Sequence, residues 1–288
     1  MDRIWEDAIS LNASAELSDA ILGKPREYVE LNDGSVVCNG SILPVDGALA
    51  RDDSVLPTLE HREGYYGENH FNYWLSGLRD YEQLEGWLRA NGVEASALLD
   101  FGCASGRFAR HAYYAGLLSS VYACDINRLH VDWIARNLPR GILAFQNTSV
   151  PLLPIPDGCL DVVTAFSVFT HLESFDTSWI MEFRRILRPG GIAWLTIHGE
   201  RTWREMNDTW PLYSGLEHNP AYAPYLDVEH TELPADRLLF RWKPDRSYSA
   251  NVFYRTDYLR KTWGRLLTVR DIFPALPPYQ DVIVLQKN

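Results

Sequence analysis

The stretch that most constrains this chain is Leu98-Leu99-Asp100-Phe101-Gly102-Cys103-Ala104-Ser105-Gly106-Arg107-Phe108. Ala97 to Leu99 are apolar and read as a buried strand. A turn of small residues and the first turn of a helix follow. Gly102 and Gly106 let the chain reverse and bring its backbone close to a ligand with no Cβ in the way. Ser105 stands where it can cap the helix. Free N–H groups at a helix start attract negative charge or lone pairs. A strand–glycine turn–helix unit is therefore a nucleotide-binding candidate. The plainer alternative is an ordinary strand–helix turn.

The dinucleotide fingerprint would put glycines at 102, 104 and 107. This chain has Gly102, Ala104 and Arg107, so only one position fits. Asp100 is more informative. A carboxylate beside the turn repels a pyrophosphate and attracts an ammonium group, such as the amino-acid end of S-adenosylmethionine (SAM). The run Asp-Phe-Gly-Cys-Ala-Ser-Gly-Arg resembles the first motif of class I SAM-dependent methyltransferases of the methyltransferase-11/25 type. The resemblance implies SAM as cofactor, with Asp100, Gly102, Cys103, Ala104 and Gly106 around it. That family usually has Gly where this chain has Ala104, and the extra methyl asks for a negative φ there.

Further elements agree. Val121 to Asp125 reads as the second strand, and Asp125 lies 19 residues past Gly106. An acid about 20 residues on, at a strand tip, can accept both ribose hydroxyls. This spacing is common to NAD enzymes and methyltransferases, and Asp125 with Ile126 is the expected ribose site. A charge near the next helix start is the plainer role, and Asn127 is an equally good cap. Ile142 to Phe145 reads as the third strand. In the family a polar segment after it contacts adenine, often through an acid. Here Gln146-Asn147-Thr148-Ser149 carries none, which leaves Asn147 and Thr148 as the candidates.

Leu153 to Val163 matches the next family motif, with Leu160 to Phe166 as the fourth strand. Phe166 and Ser167 leave it toward the ligand face. Phe175, Trp179, Ile180, Phe183, Ile186 and Leu187 repeat with helical period. Arg188-Pro189-Gly190-Gly191 is expected to stop that helix and turn into a fifth strand, Ile192 to Ile197, apolar enough to be buried on both faces. Leu266 to Ile272 and Asp281 to Leu285 are expected to pair antiparallel. The fold implied is α/β: a Rossmann-like, seven-stranded, mostly parallel sheet with an antiparallel C-terminal strand, plus an N-terminal arm and a cap insertion. The expected organisation is an arm and helix over 1–90, a SAM-binding core over 91–200, an aromatic-rich cap over 201–255 and completing strands over 256–288. A looser likeness, through Phe169 to Leu172, Thr196 to Glu200 and Tyr279 to Val282, is to a bacterial subgroup met in glycan modification.

Before the core, Asn32-Asp33-Gly34 and Cys38-Asn39-Gly40 are turn signals of a small hairpin. Tyr65 to Trp74 is unusually aromatic and suits an arm packed on the main domain. By the resemblance, Tyr65, Tyr66 or Arg79 reaches the cofactor. Leu78, Tyr81, Leu84 and Leu88 mark a helix ended by Asn91-Gly92.

Composition narrows the partners. A net charge of −11 argues against a nonspecific nucleic-acid binder. No apolar run approaches the ~20 residues of a membrane helix. Met1 to Asp7 is acidic and lacks a secretory pattern. Cys38, Cys103, Cys124 and Cys159 are far apart, with no C-x-x-C pair, and read as buried thiols of a reducing, cytoplasmic compartment.

Residues 201–255 carry Trp203, Trp210, Tyr213, Tyr222, Tyr225, Phe240 and Trp242, with Pro211, Pro220, Pro224, Pro234 and Pro244 interrupting them. The segment is placed to roof an acceptor pocket, and its plainer role is a packed subdomain. Methyl transfer from a sulfonium is an in-line displacement in which alignment does much of the work. A hydroxyl nucleophile also needs a base. His198, with His171 as fallback and Glu200 as a third candidate, follows a core strand. No His/Cys/carboxylate spacing suggests a metal. The expected activity is O-methylation of a small acceptor, such as a sugar. A noncatalytic SAM-binding protein and a nicotinamide oxidoreductase are the alternatives.

Overall fold

The computed structural model describes residues 28–30, 35–38, 41–226, 228–243, 249–276 and 278–288. The segments at 1–7, 32–34 and 39–40, and Pro244, lie outside them. Two compact units divide the chain, one within 10–147 and one within 148–288.

In the first unit β1 (Tyr28–Glu30), β2 (Val36–Cys38) and β3 (Ser41–Leu43) form an antiparallel sheet, one strand more than the hairpin expected. Apolar side chains of β2 and β3 pack on α1 (Val45–Arg51) and α2 (His70–Ala90) in a cluster containing Val36, Leu43, Val45, Trp74 and Leu78. The aromatic stretch thus divides: Tyr65 and Tyr66 lie in turns, whereas Phe71, Tyr73 and Trp74 begin α2. That helix ends as expected. Gly92 takes φ +63, and Val93 N–H donates to Leu88 O at 2.9 Å, closing a glycine-terminated helix end.

Next come β4 (Ala97–Phe101), α3 (Ala109–Tyr114), β5 (Ser120–Asp125), α4 (Arg128–Asn137) and β6 (Ile142–Gln146), with the three strands parallel. Asn127 caps α4 by accepting Leu129 N–H at 3.1 Å. A Cβ on Gly77 would collide with the Arg107 carbonyl, so only glycine lets α2 lie against the end of the glycine turn. A buried ion pair, Arg110 Nε to Asp52 Oδ2 at 2.6 Å, ties α3 to the loop after α1, and Trp74 Nε1 donates to the same carboxylate. Removing one partner of such a pair costs about 3–5 kcal/mol, because the other charge stays buried.

The second unit holds β7 (Leu160–Ala165), α5 (Asp176–Ile186), β8 (Leu187–Ile197), α6 (Glu200–Glu205), α7 (Pro211–Leu216), β9 (Arg237–Arg241), β10 (Ala250–Tyr254), α8 (Thr256–Thr262), β11 (Thr268–Pro274) and β12 (Asp281–Gln286). The main sheet runs β11-β12-β8-β7-β4-β5-β6, with β12 antiparallel to both its neighbours. This is the seven-stranded Rossmann-like arrangement anticipated. All of β7 and the stretch from Gly191 to Ile197 are buried, as their continuous apolar character requires. Among the described residues no helix is long and apolar enough to cross a membrane.

Three local expectations fail. Ser105 does not cap a helix; α3 starts at Ala109, because Ala104 at φ +45 and Gly106 at φ +77 keep the chain turning. Arg188 to Gly191 lie inside β8 rather than before it, accommodated by Gly190 at φ +82 and a register shift between Leu160 and Val162. Cys159 is exposed, while Cys38, Cys103 and Cys124 are buried.

Candidate functional site

In the first unit the glycine turn is pinned to the tip of β5. The N–H groups of Gly102 and Cys103 both donate to Cys124 O, at 2.8 and 3.0 Å, and Gly106 N–H donates to Cys103 O at 2.9 Å. Ala104 N–H donates to Asp125 Oδ2 at 2.8 Å. Ala104 therefore adopts positive φ, the reverse of the sequence expectation, because this bond fixes its plane. Asp125 Oδ1 accepts Asn127 N–H at 2.8 Å. Oδ2 keeps a further acceptor site, which suits a ribose hydroxyl, while Oδ1 also faces His130 Nδ1 at 3.5 Å. Ile126 O accepts Gln146 Nε2 at 3.0 Å, and Asn147 N–H donates to Asp125 O, so the ends of β5 and β6 are stitched together. Asp100 is buried at the end of β4. Burial, reinforced by Asp125 and Asp100, pushes the Cys103 thiol well up, which keeps it from acting as a nucleophile.

An arm packs on this turn. Ser105 Oγ donates to His61 O, and Tyr73 OH donates to Ser105 O at 3.4 Å. Arg62 is buried with its guanidinium 5.2 Å from the Tyr73 ring centre. Its Nη2 donates to Gly67 O at 2.8 Å and lies 3.0 Å from His70 Nδ1. Its Nε and Nη1 have no hydrogen-bond partner among the described residues. Such donors are costly unless a ligand meets them, and a carboxylate oxygen is a suitable acceptor for either. Sequence reasoning missed Arg62, since one arginine in an aperiodic arm carries no pattern. Of the residues it named, Arg79 is held by Asp80 at 3.0 Å, and Asp80 also pairs with Arg107 at 2.6 Å. Tyr65 is exposed, and Tyr66 sits edge-on to Tyr73. One buried cation with spare donors and two buried acids, Asp100 and Asp125, fit a zwitterionic amino acid joined to a ribose.

In the second unit Thr148 Oγ1 accepts Val150 N–H at 3.2 Å, and Phe166 is half-buried beyond the end of β7. Ser167 sits at φ +57, held by its N–H to Thr196 Oγ1 at 2.6 Å and by Gln280 Nε2 to its hydroxyl at 2.9 Å. Non-glycine backbone in this region is strained and clusters at functional sites.

The two histidines differ sharply. His171 Nδ1 lies 2.8 Å from Ala250 O, which can only accept. Nδ1 therefore carries the hydrogen, and Nε2 carries the free lone pair. His171 is half-buried, its ring 5.3 Å from and perpendicular to that of Trp242, a residue 44% exposed. His198 is 3% exposed and tilted against Phe253 at 5.1 Å; its Nδ1 has no hydrogen-bond partner among the described residues. Burial, then the neighbouring His171, push its pKa well below the ordinary histidine range. Tyr254 N–H to His198 O and Val252 N–H to Thr170 O lay β10 along these residues. His171 thus presents a lone pair, whereas His198 is sealed beneath β10.

Beside His198, Gly199 is packed tightly: a Cβ there would stand 2.5 Å from Asp281 Oδ2. Glu200, the third base candidate, accepts Thr256 N–H at 3.2 Å at the start of α8. Trp203 is buried in a hydrophobic cluster with Leu212, Leu216, Tyr222, Leu233, Phe240 and Phe253.

Residues 99–195 match the family model described as "Methyltransferase domain". The chain is 27% identical over 161 residues to a malonyl-[acyl-carrier protein] O-methyltransferase of Methylococcus capsulatus, covering 51% of this chain and 54% of that one. It is 29% identical over 167 residues to a probable S-adenosylmethionine-dependent methyltransferase of Mycolicibacterium smegmatis, covering 56% and 57%. It spans about half the length of the curated relatives it matches. A solved SAM-dependent methyltransferase of Methanosarcina mazei aligns over 69% of this chain and 96% of its own, with a TM-score of 0.47 and 20% identity.

Proposed function

The chain carries a class I SAM-dependent methyltransferase domain, and we propose that it transfers a methyl group from SAM to a hydroxyl of a small acceptor, such as a sugar. SAM, when bound, supplies a methyl already activated on a sulfonium. Arg62 pairs with the amino-acid carboxylate, and Asp100 draws the ammonium. The turn from Gly102 to Gly106, with Cys103 and Ala104, lies under the amino acid and ribose. Asp125, flanked by Ile126, accepts the ribose hydroxyls, and Asn147 and Thr148 address adenine. Phe166 and Ser167 line the path beyond β7.

The observation that carries the acceptor chemistry is the hydrogen bond from His171 Nδ1 to Ala250 O. It presents Nε2 as the proton acceptor, beside an exposed indole suited to stacking on a sugar face. The fixed tautomer and the access favour His171 as base, with His198 as the buried ring behind it. Removing the base costs on the order of 10²–10⁴ in rate. His171→Gln is therefore expected to lose that factor in methyl transfer to a panel of monosaccharides while still binding S-adenosylhomocysteine. An unchanged rate removes His171 from the chemistry, and His198→Gln then tests the fallback.

A second reading, methylation of an acyl carboxylate, draws on the printed activity of the Methylococcus relative. A carboxylate is already ionised and needs no base, so turnover on such an acceptor would survive His171→Gln.

A further inference from the structure

Glu63 follows the 3-10 turn Glu60–Arg62 and takes a left-handed backbone, φ +54, that an L-residue adopts only at a cost. The neighbours of its side chain show what holds it. Asn127 Nδ2 donates to Glu63 Oε1 at 3.0 Å, and His130 Nε2 lies 3.3 Å from the same oxygen. The other nitrogen of that imidazole, Nδ1, lies 3.5 Å from Asp125 Oδ1. The His130 ring is 3% exposed, so it stands almost dry between two carboxylates, one from the arm and one from the tip of β5. These are the titratable groups that face it among the described residues. A neutral imidazole has one donor and leaves one carboxylate facing a lone pair. Neither ring nitrogen makes a hydrogen bond among the described residues, so the two contacts are charge pairs, and an imidazolium is attracted to both carboxylates.

We propose that His130 is a positioning residue that clamps the arm to the ribose acid. Its charged ring joins Glu63 to Asp125, so that holding the nucleoside and seating the arm are one event. The proposal rests on the reading of Asp125 as the ribose acid. Burial works against charge on His130, but the Asp125 and Glu63 carboxylates outweigh it and raise its pKa above the ordinary 6.5. The clamp is therefore strongest below 6.5 and loosens as pH rises through that raised value. Asn127, which caps α4 through its own Oδ1, keeps a pH-independent grip on Glu63 through Nδ2, so the arm is weakened rather than released.

The test is calorimetric titration of the full chain with S-adenosylhomocysteine at pH 6 and pH 8, for the wild type, His130→Gln and Glu63→Gln. The ligand's amine titrates alike in all three proteins, so only differences between them count. The wild type should lose on the order of fivefold more affinity than either variant over this interval. Glu63→Gln alters a partly exposed arm residue and leaves the core intact, which protects the comparison if His130→Gln folds poorly. Identical pH dependence in the wild type and Glu63→Gln overturns the clamp while leaving Asp125 as the ribose acid. A wild type that binds no S-adenosylhomocysteine at either pH overturns the cofactor reading and the clamp with it.

Discussion

The backbone N–H of Ala104 donates to Oδ2 of Asp125 at 2.8 Å. That contact couples the two halves of the candidate nucleoside site, the glycine turn after β4 and the acid ending β5. It also holds Ala104 at φ +45, where its Cβ is unwelcome.

Ala104→Gly should therefore stabilise the protein. The left-handed conformation costs an alanine about 1–2 kcal/mol, part of which glycine returns to unfolded-chain entropy, for a net gain of roughly 0.5–1 kcal/mol. A higher urea midpoint with an unchanged m-value is the expected result. A lower midpoint would mean that the methyl makes contacts worth more than the strain.

Arg62→Met keeps the apolar stem and removes the charge. If Nε or Nη1 meets the carboxylate of the cofactor, affinity for S-adenosylhomocysteine falls by about tenfold or more, the scale of a charge-assisted pair. Affinity for adenosine, which lacks the amino acid, should not change. Equal losses for both ligands would make Arg62 a packing residue of the arm.

Trp203 and Trp242 should separate cleanly. Trp203→Ala opens the hydrophobic cluster around it and should cost about 3–5 kcal/mol of stability. Trp242→Ala removes an exposed ring and should leave the thermal midpoint nearly unchanged while raising KM for the acceptor. A large loss of stability in Trp242→Ala would assign that ring to packing as well.

Acid should destabilise the fold from about pH 6.5 downward. Burial, then the Arg110 charge, push His111 down to about 3, and burial also depresses His171 and His198. Each folded pKa lies below the unfolded value, so each contribution is complete above 6.5 and lost as pH falls from there. The slope is at most ~1.4 kcal/mol per pH unit for each histidine. His130 works in the opposite sense. Urea unfolding at pH 7.0 and 5.5 reads the balance, and His111→Gln should flatten it. Equal stability at the two values would contradict the depressed pKa values.

The sheet was legible because buried parallel strands are continuous apolar runs, and 97–101, 121–125, 160–165 and 192–197 are such runs. Asp125 was legible as a candidate because its spacing from the glycine turn survives in one dimension. What failed was contact geometry. Ser105 looks like a cap in the chain but faces the carbonyl of His61, a residue 44 positions away. The sequence puts His198 ahead of His171, whereas in the structure β10 buries the first and orients the second. Arg62 stands out only through the absence of partners at two of its nitrogens, which no spacing can show.

The central claim is that the first unit binds the nucleoside of SAM through Asp125. Calorimetric titration with S-adenosylhomocysteine, against NAD as control, tests it most directly. The account predicts one site per chain for S-adenosylhomocysteine and none for NAD. It also predicts that Asp125→Asn, which keeps the shape but removes the charge, weakens binding by about tenfold or more. Unaltered affinity in a folded Asp125→Asn protein, or tighter binding of NAD than of S-adenosylhomocysteine, would contradict it.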